Sequence, residues 1–161
     1  MGASDEIRFD RIDRKLLELL QQDAARPLHE IGELVGLSPS AVQRRLASYK
    51  SSGLIDRHIA VLNPRALPGI VHACVSVTLQ RESTALHSRF RKRICAAPEV
   101  QQCYDLAGEW DYLVIIAADG MTRCRAIIDE LFLDAPNVAR YDTRFVFEIV
   151  KRGLRIPLGA Q

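Results

Sequence analysis

Hydrophobic and polar positions along this chain follow two different periods, and the change from one to the other divides it. Between Arg11 and Gln22, Ile12, Leu16, Leu17, Leu19 and Leu20 recur near the spacing of a helix with one buried face. Asp10 stands where a side chain can cap that helix. Leu28, Ile31, Leu34 and Val35 repeat the spacing over a shorter stretch, entered after Pro27 and stopped by Gly36. A third helix is predicted from Ser38 to Gly53: the Ser38 hydroxyl caps it, and Pro39 takes the first helical position, where a missing N–H does no harm. Two helices joined by a short glycine-containing turn read as a helix-turn-helix. The branched apolar stretch Leu54 to Leu62, with Arg57 and His58 inside it and Asn63-Pro64 closing it, reads as a wing.

Beyond Gly69 the period shortens. Val71, Ala73, Val75, Val77 and Leu79 alternate with His72, Cys74, Ser76 and Thr78, the pattern of a strand with one buried face. Thr84 to Ala96 carries Leu86, Phe90 and Ile94 at helical spacing, with Arg89, Arg91, Lys92 and Arg93 turned outward. Val100 to Leu106 and Tyr112 to Ala118 flank a turn at Gly108-Glu109 and should pair as a hairpin; the continuous apolar run of the second suits a strand covered on both faces. A helix bearing Met121, Cys124, Ile127, Ile128, Leu131 and Phe132 follows, ended by Pro136-Asn137, and Ala139 to Val150 reads as a long strand. The order βαββαβ is that of a ferredoxin-like domain, one sheet with helices on one side.

The fold class expected is therefore α+β: a winged helix-turn-helix over residues 1–62, a linker over 63–69 marked by Pro64, Pro68 and Gly69, a ferredoxin-like domain over 70–152, and a loosely held tail over 153–161. With 48% hydrophobic and 26% charged residues in 161, the chain can build packed cores. No apolar run approaches the roughly 20 residues of a membrane span, and Met1 to Phe9 lacks the basic-then-apolar order of a secretory signal, so no membrane partner and a cytoplasmic location are expected. Cys74, Cys95, Cys103 and Cys124 show neither a CxxC pair nor a neighbouring histidine, and are read as small buried apolar side chains rather than metal ligands or disulfide partners.

Net charge of +2 matters less than its distribution. From Ser40 to Arg65, Arg44, Arg45, Lys50, Arg57 and Arg65 face a single acid, Asp56, while the preceding segment is acidic. On the third helix Val42, Leu46 and Tyr49 share one side, which centres the opposite side on Ser40, Arg44, Ala47 and Ser48, with Gln43 and Arg45 on its flanks. Small residues beside arginine suit close approach to a groove: Arg44 reaches guanine edges or phosphate, and Gln43 pairs with adenine. A solvated helix surface explains the same face. Arg57 and His58 are candidates for contact with the DNA backbone or minor groove, and a packed or solvent-facing role is the alternative for each.

Taken together these residues resemble the Lrp/AsnC, or feast/famine, family of transcription regulators. The likeness runs from FDRIDRKLLELLQQDAARP through LVGLSPSAVQRRLASYKSSGLI and AVLNP to APEVQQCYDLAGEWDYLVIIAAD and PNVARYDTRFVFEIVK, from about Phe9 to Lys151. The family's helix arginine falls on Arg45, its opening Leu-Ser on Leu37 and Ser38, its effector-loop Gly-x-x-Asp-Tyr on Gly108, Asp111 and Tyr112, and the threonine of its last strand on Thr143. Tyr49 stands where leucine is usual, Pro68 lengthens the linker, Asn137 replaces a turn glycine, and His58 replaces a common wing tyrosine.

The resemblance implies a DNA-binding regulator that senses a small metabolite, an amino acid, where effector domains meet. It implies homodimers that assemble further, to octamers, on pseudo-palindromic double-stranded DNA, with no catalysis and no cofactor. In the loop Gly108 to Tyr112 a glycine turn exposes backbone N–H groups for a carboxylate, while Asp111 or Glu109 pairs with an ammonium. Trp110 either walls the pocket or packs against another subunit, and Thr143 is a ligand contact or simply a strand former. Two alternatives stay open. One is an enzyme like the siroheme decarboxylases, which resemble this family in fold, against which His29, His58, His72 and His87 are scattered. The other is an oligomerisation module without DNA binding.

Overall fold

The computed structural model of the chain describes residues 9–81 and 83–158. The Met1–Phe9 stretch up to residue 8, and the last three residues of the tail, lie outside them. The chain folds as two compact units, one running to Val61 and including the residues from Arg152 onward, the other spanning Leu62–Lys151.

In the first unit α1 (Arg11–Gln22), α2 (Leu28–Val35) and α3 (Pro39–Ser51) pack around Leu16, Leu17, Leu20, Ile31, Val42 and Tyr49. Asp10 caps α1 as expected, and the cap is reciprocal: Asp13 N–H donates to Asp10 Oδ1 at 2.6 Å, and Asp10 N–H donates to Asp13 Oδ2 at 3.0 Å. Gly36 ends α2 in the left-handed conformation, φ 73°. Gly32 is there for closeness: a Cβ on it would stand 2.4 Å from the Leu37 carbonyl oxygen, so the turn between α2 and α3 closes only over a bare backbone.

Two expectations for this unit need correction. Leu54–Leu62 forms no strand: Leu54 and Ile55 pack on the helical core, but the extended segment beyond finds no strand to pair with in the single chain, and Ile59, Val61 and Leu62 are exposed. The helix-turn-helix therefore has no β-wing here. Nor is the described part of the tail, up to Leu158, loosely held. Ile156 N–H donates to Gln21 Oε1 at 2.7 Å, Gln21 Nε2 donates back to the Ile156 carbonyl at 3.1 Å, and Leu158 packs against the helical core.

The second unit begins with a turn of 3-10 helix at Pro64–Ala66, inside the expected linker, then β1 (Ile70–Leu79), α4 (Thr84–Ala96), β2 (Val100–Asp105), β3 (Tyr112–Asp119), α5 (Gly120–Ile128), a π turn (Asp129–Leu133) and β4 (Val138–Phe145). The strands form an antiparallel sheet in the order β2-β3-β1-β4. Ala73, Val75 and Val77 of β1 and Val114 and Ile116 of β3 pack against Phe90, Ile94, Ile127 and Phe132, which places both helices on one side. The turn into β4 survives its departure from glycine: Asn137 has φ 73° and is the one non-glycine with positive φ among the described residues.

Here too the structure corrects details. β4 stops at Phe145 instead of Val150: Phe145 pairs with Ala73, and Val146 N–H donates to His72 O as the last ladder bond, after which the chain leaves β1 although β1 itself runs on to Ile70. β3 is covered on one face only, with Leu113, Ile115 and Ala117 half-buried on the other. Among the cysteines only Cys124 is buried. Cys95 is exposed, being one position past the inward-facing Ile94. Arg93 does not turn outward: its guanidinium lies over the Phe90 ring, 5.5 Å from the centroid, with Nε and Nη2 buried and lacking a hydrogen-bond partner.

Candidate functional site

The outer side of α3 is built by its cap and its core-facing stripe. Ser38 Oγ accepts from Ala41 N–H at 3.3 Å and lies 3.1 Å from Ser40 Oγ. With Val42 and Tyr49 turned inward, Ser38, Ser40, Gln43, Arg44, Ala47 and Ser48 are exposed together. Arg44 makes no hydrogen bond or ion pair with any described residue. A free guanidinium among small side chains has donors to give and no bulk around it, the requirement for reaching a groove floor or a phosphate.

Arg45, expected on that same face, is placed elsewhere. Its Nη1 donates to Asp10 Oδ2 at 2.9 Å and also to Asp13 Oδ1, leaving the side chain 30% exposed. Tyr49 Oη donates to the same Asp13 oxygen. One carboxylate, Asp13, thus caps α1 and ties α3 to it through an arginine and a tyrosine. Each pKa shift follows from this network. The hydrogen bonds to Asp10 and Asp13 raise Arg45 still further above the working range. Asp10 is lowered, mainly by the Asp13 N–H and also by Arg45. Burial, then the hydrogen bond to Asp13, raises Tyr49 above the usual phenol. The signal for this network is present in the sequence as Asp-x-x-Asp at a helix start, a reciprocal cap that the reading of Asp10 alone misses.

Arg57 and His58 lie on the extended segment after Gly53, both exposed; Arg57 is 3.6 Å from Asp56 in a solvent-facing pair. No hydrogen bond or ion pair joins them to α3 among the described residues.

The effector-loop residues are divided by the fold. Asp111 is a pin: its N–H donates to Val77 O at 3.0 Å, its Oδ2 accepts Leu79 N–H at 2.7 Å, and its carbonyl accepts Leu106 N–H at 2.9 Å. It holds the loop to the end of β1; of the two carboxylates expected to pair with an ammonium, Glu109 is the exposed one. Tyr112 is a core residue, fully buried, stacked 4.6 Å from Phe90 and bonded through Oη to His87 Nδ1 at 2.7 Å. Thr143 pairs with Val75 on the helix side of the sheet, its Oγ1 buried without a hydrogen-bond partner, away from the loop tip. Gly108, Glu109 and Trp110 remain at the surface and meet a residue the sequence did not mark. Arg140 of β4 lies over the Trp110 ring, 4.3 Å from its centroid, and donates through Nη2 to Glu109 Oε1 at 2.8 Å. Only the strand register brings Arg140 to this loop.

Two family profiles cover these regions. The AsnC-type helix-turn-helix domain matches residues 9–49, and the Lrp/AsnC ligand binding domain matches residues 72–156, more than half of the chain. The chain belongs to the Lrp/AsnC family. The leucine-responsive regulatory protein of Escherichia coli strain K12 is 32% identical over 148 residues, which are 92% of this chain and 90% of that protein. Among solved structures, a transcriptional regulator from Neisseria meningitidis in complex with L-Met superposes with a TM-score of 0.84 at 28% identity, covering 94% of this chain and 97% of that one. An AsnC family regulator from Agrobacterium tumefaciens gives 0.83 at 27% identity, covering 93% and 97%.

As an Lrp/AsnC protein the chain is a helix-turn-helix transcriptional regulator with a ligand-binding domain; the family consists of regulators, which answers the decarboxylase alternative. Its departures from the family pattern now have structural meanings. Tyr49 brings a hydroxyl that joins α3 to Asp13, Asn137 takes the left-handed turn, and His58 is solvent-facing. Among the described residues no group of His, Cys, Asp or Glu is placed to hold a metal ion, and no helix is long and apolar enough to cross a membrane.

Proposed function

We propose that this Lrp/AsnC chain reads DNA through Ser38, Ser40, Gln43, Arg44 and Ser48, with Arg57 and His58 touching the flanking backbone, and that its C-terminal unit binds an amino acid. Arg45 positions the reading helix instead of contacting bases. The observation that carries this reading is the unpartnered Arg44 guanidinium on a helix face of small polar residues. The chain acts in the cytoplasm as a homodimer that assembles further, to an octamer, on pseudo-palindromic sites. Support for self-association comes from β3: its sequence is apolar at every position from Tyr112 to Ala118, while the single chain covers only one face, leaving Leu113 and Ile115 half-buried for a second copy to cover. An amino acid that favours one assembly state shifts DNA occupancy by its differential affinity.

The names of relatives, one leucine-responsive and one solved with L-Met, support an amino-acid effector. Selection of randomised duplexes by the full chain at low ionic strength tests the DNA half. Two-fold related half-sites about one helical turn apart are expected, and failure to enrich any sequence overturns it. A thermal-shift screen of the standard amino acids tests the other half, with about 2.7 kcal/mol of stabilisation expected at a hundredfold excess over Kd.

A further inference from the structure

We infer that Arg140 is the carboxylate receptor of the effector site and that Trp110 and Glu109 hold it poised for an α-amino acid. This rests on the reading of the C-terminal unit as an amino-acid sensor. The Arg140 guanidinium carbon lies over the Trp110 ring, 4.3 Å from its centroid. A ring face attracts the cation without using up the N–H groups that point past it, which stay available to acceptors. Of those donors, Nη2 reaches Glu109 Oε1 at 2.8 Å. That ion pair is open to water on both sides, with 53% of the Arg140 and 70% of the Glu109 side chain exposed, so it is weak and readily exchanged.

An α-amino acid carries the two charges that this pair already holds side by side. Its carboxylate takes the place of Glu109 on the Arg140 fork, where a bidentate contact replaces a single hydrogen bond. Glu109, released, faces the ammonium. The ligand side chain then lies along the apolar indole of Trp110. Two further observations support a built site. Thr78 pairs with Arg140 across β1 and β4, and its Oγ1 is buried with no hydrogen-bond partner, an additional polar group next to the arginine. Asp111 fixes the loop to the end of β1 through Val77 O and Leu79 N–H, so Glu109 and Trp110 are held in place before any ligand arrives.

Trp110 is the only tryptophan in the 161 residues, so intrinsic tryptophan emission reports on this site alone. The experiment titrates the full-length chain with each of the twenty standard L-amino acids, following emission and, independently, binding heat, and repeats the titration with the C-terminal amide of each binder. We expect a binder to change Trp110 emission saturably, its amide to bind at least tenfold more weakly, and Arg140→Gln to weaken the amino acid at least tenfold while abolishing that discrimination. Arg140→Gln is checked for an unchanged fold by circular dichroism, and the amide comparison needs no variant. An amino acid that releases binding heat but leaves Trp110 emission unchanged, or that binds no better than its amide, overturns this assignment and leaves amino-acid sensing standing at another place. If none of the twenty binds, the assignment and the sensing reading fall together.

Discussion

The outer side of α3 leaves the side chains of Gln43, Arg44 and Ser48 unengaged, whereas the loop from Gly108 to Tyr112 binds much of its own to the rest of the fold. The difference follows from backbone chemistry. A helix satisfies its peptide groups internally, so side chains on its solvent side are free to meet something else, as Arg44 is. A loop must find partners for its peptide groups, and here Asp111 supplies them with backbone and carboxylate together. Within α3 the same contrast recurs between adjacent arginines: Arg45, on the flank of the exposed side, reaches back to Asp10 and Asp13, while Arg44 does not. Position on a surface and availability at it are thus separate properties.

Substitutions can widen or collapse this contrast. The largest stability loss is expected for Asp13→Ala. It removes the acceptor of Asp10 N–H, Arg45 and Tyr49 at once from a side chain only 15% exposed. About 3 kcal/mol should be lost in denaturant unfolding. Asp111→Ala comes next, with about 2 kcal/mol lost because Leu79 N–H is left without its acceptor. Asp111→Asn should restore most of that, since an amide oxygen still accepts; a loss equal to that of alanine would mean that the charge matters beyond this bond.

Tyr49→Phe should cost about 1 kcal/mol at neutral pH, for one hydrogen bond. It also has a sign at high pH. The folded phenol titrates above the unfolded one, so above pH of about 10 the unfolded chain loses a proton that the folded chain keeps, and stability falls as pH rises. Removing Tyr49 should make that alkaline decline shallower. An unchanged slope would place the decline in other groups, such as Tyr112, which burial also raises.

Much of this molecule was legible in its residue pattern, and the limits have a common cause. The three N-terminal helices, β1 and α4 fall where periodicity and capping put them, because Leu16, Ile31, Val42, Val75 and Phe90 declare their buried sides locally. What the pattern does not carry is the partner of a polar side chain distant in sequence. Arg45 looks like any helix-face arginine until the start of α1 is brought beside it, and Arg140 acquires Trp110 and Glu109 only through strand register. The apolar stretch after Gly53 suggested a wing because a branched sequence favours a strand, yet a strand also requires an edge to join, and this segment pairs with none. Leu158 shows the converse, a terminal residue held by a surface formed far upstream.

Arg44 and Arg45 are given opposite roles on α3, one toward DNA and one toward α1, and the salt dependence of binding separates them directly. For Arg44→Ala we predict an unchanged unfolding midpoint, weaker binding to the selected duplex, and a log-log salt slope flatter by about 0.9 if its contact is to phosphate, or relaxed preference at one base pair if it is to a base edge. For Arg45→Ala we predict a lower midpoint with the salt slope of the wild type. Arg44→Ala binding with wild-type affinity, slope and sequence preference would contradict the central claim.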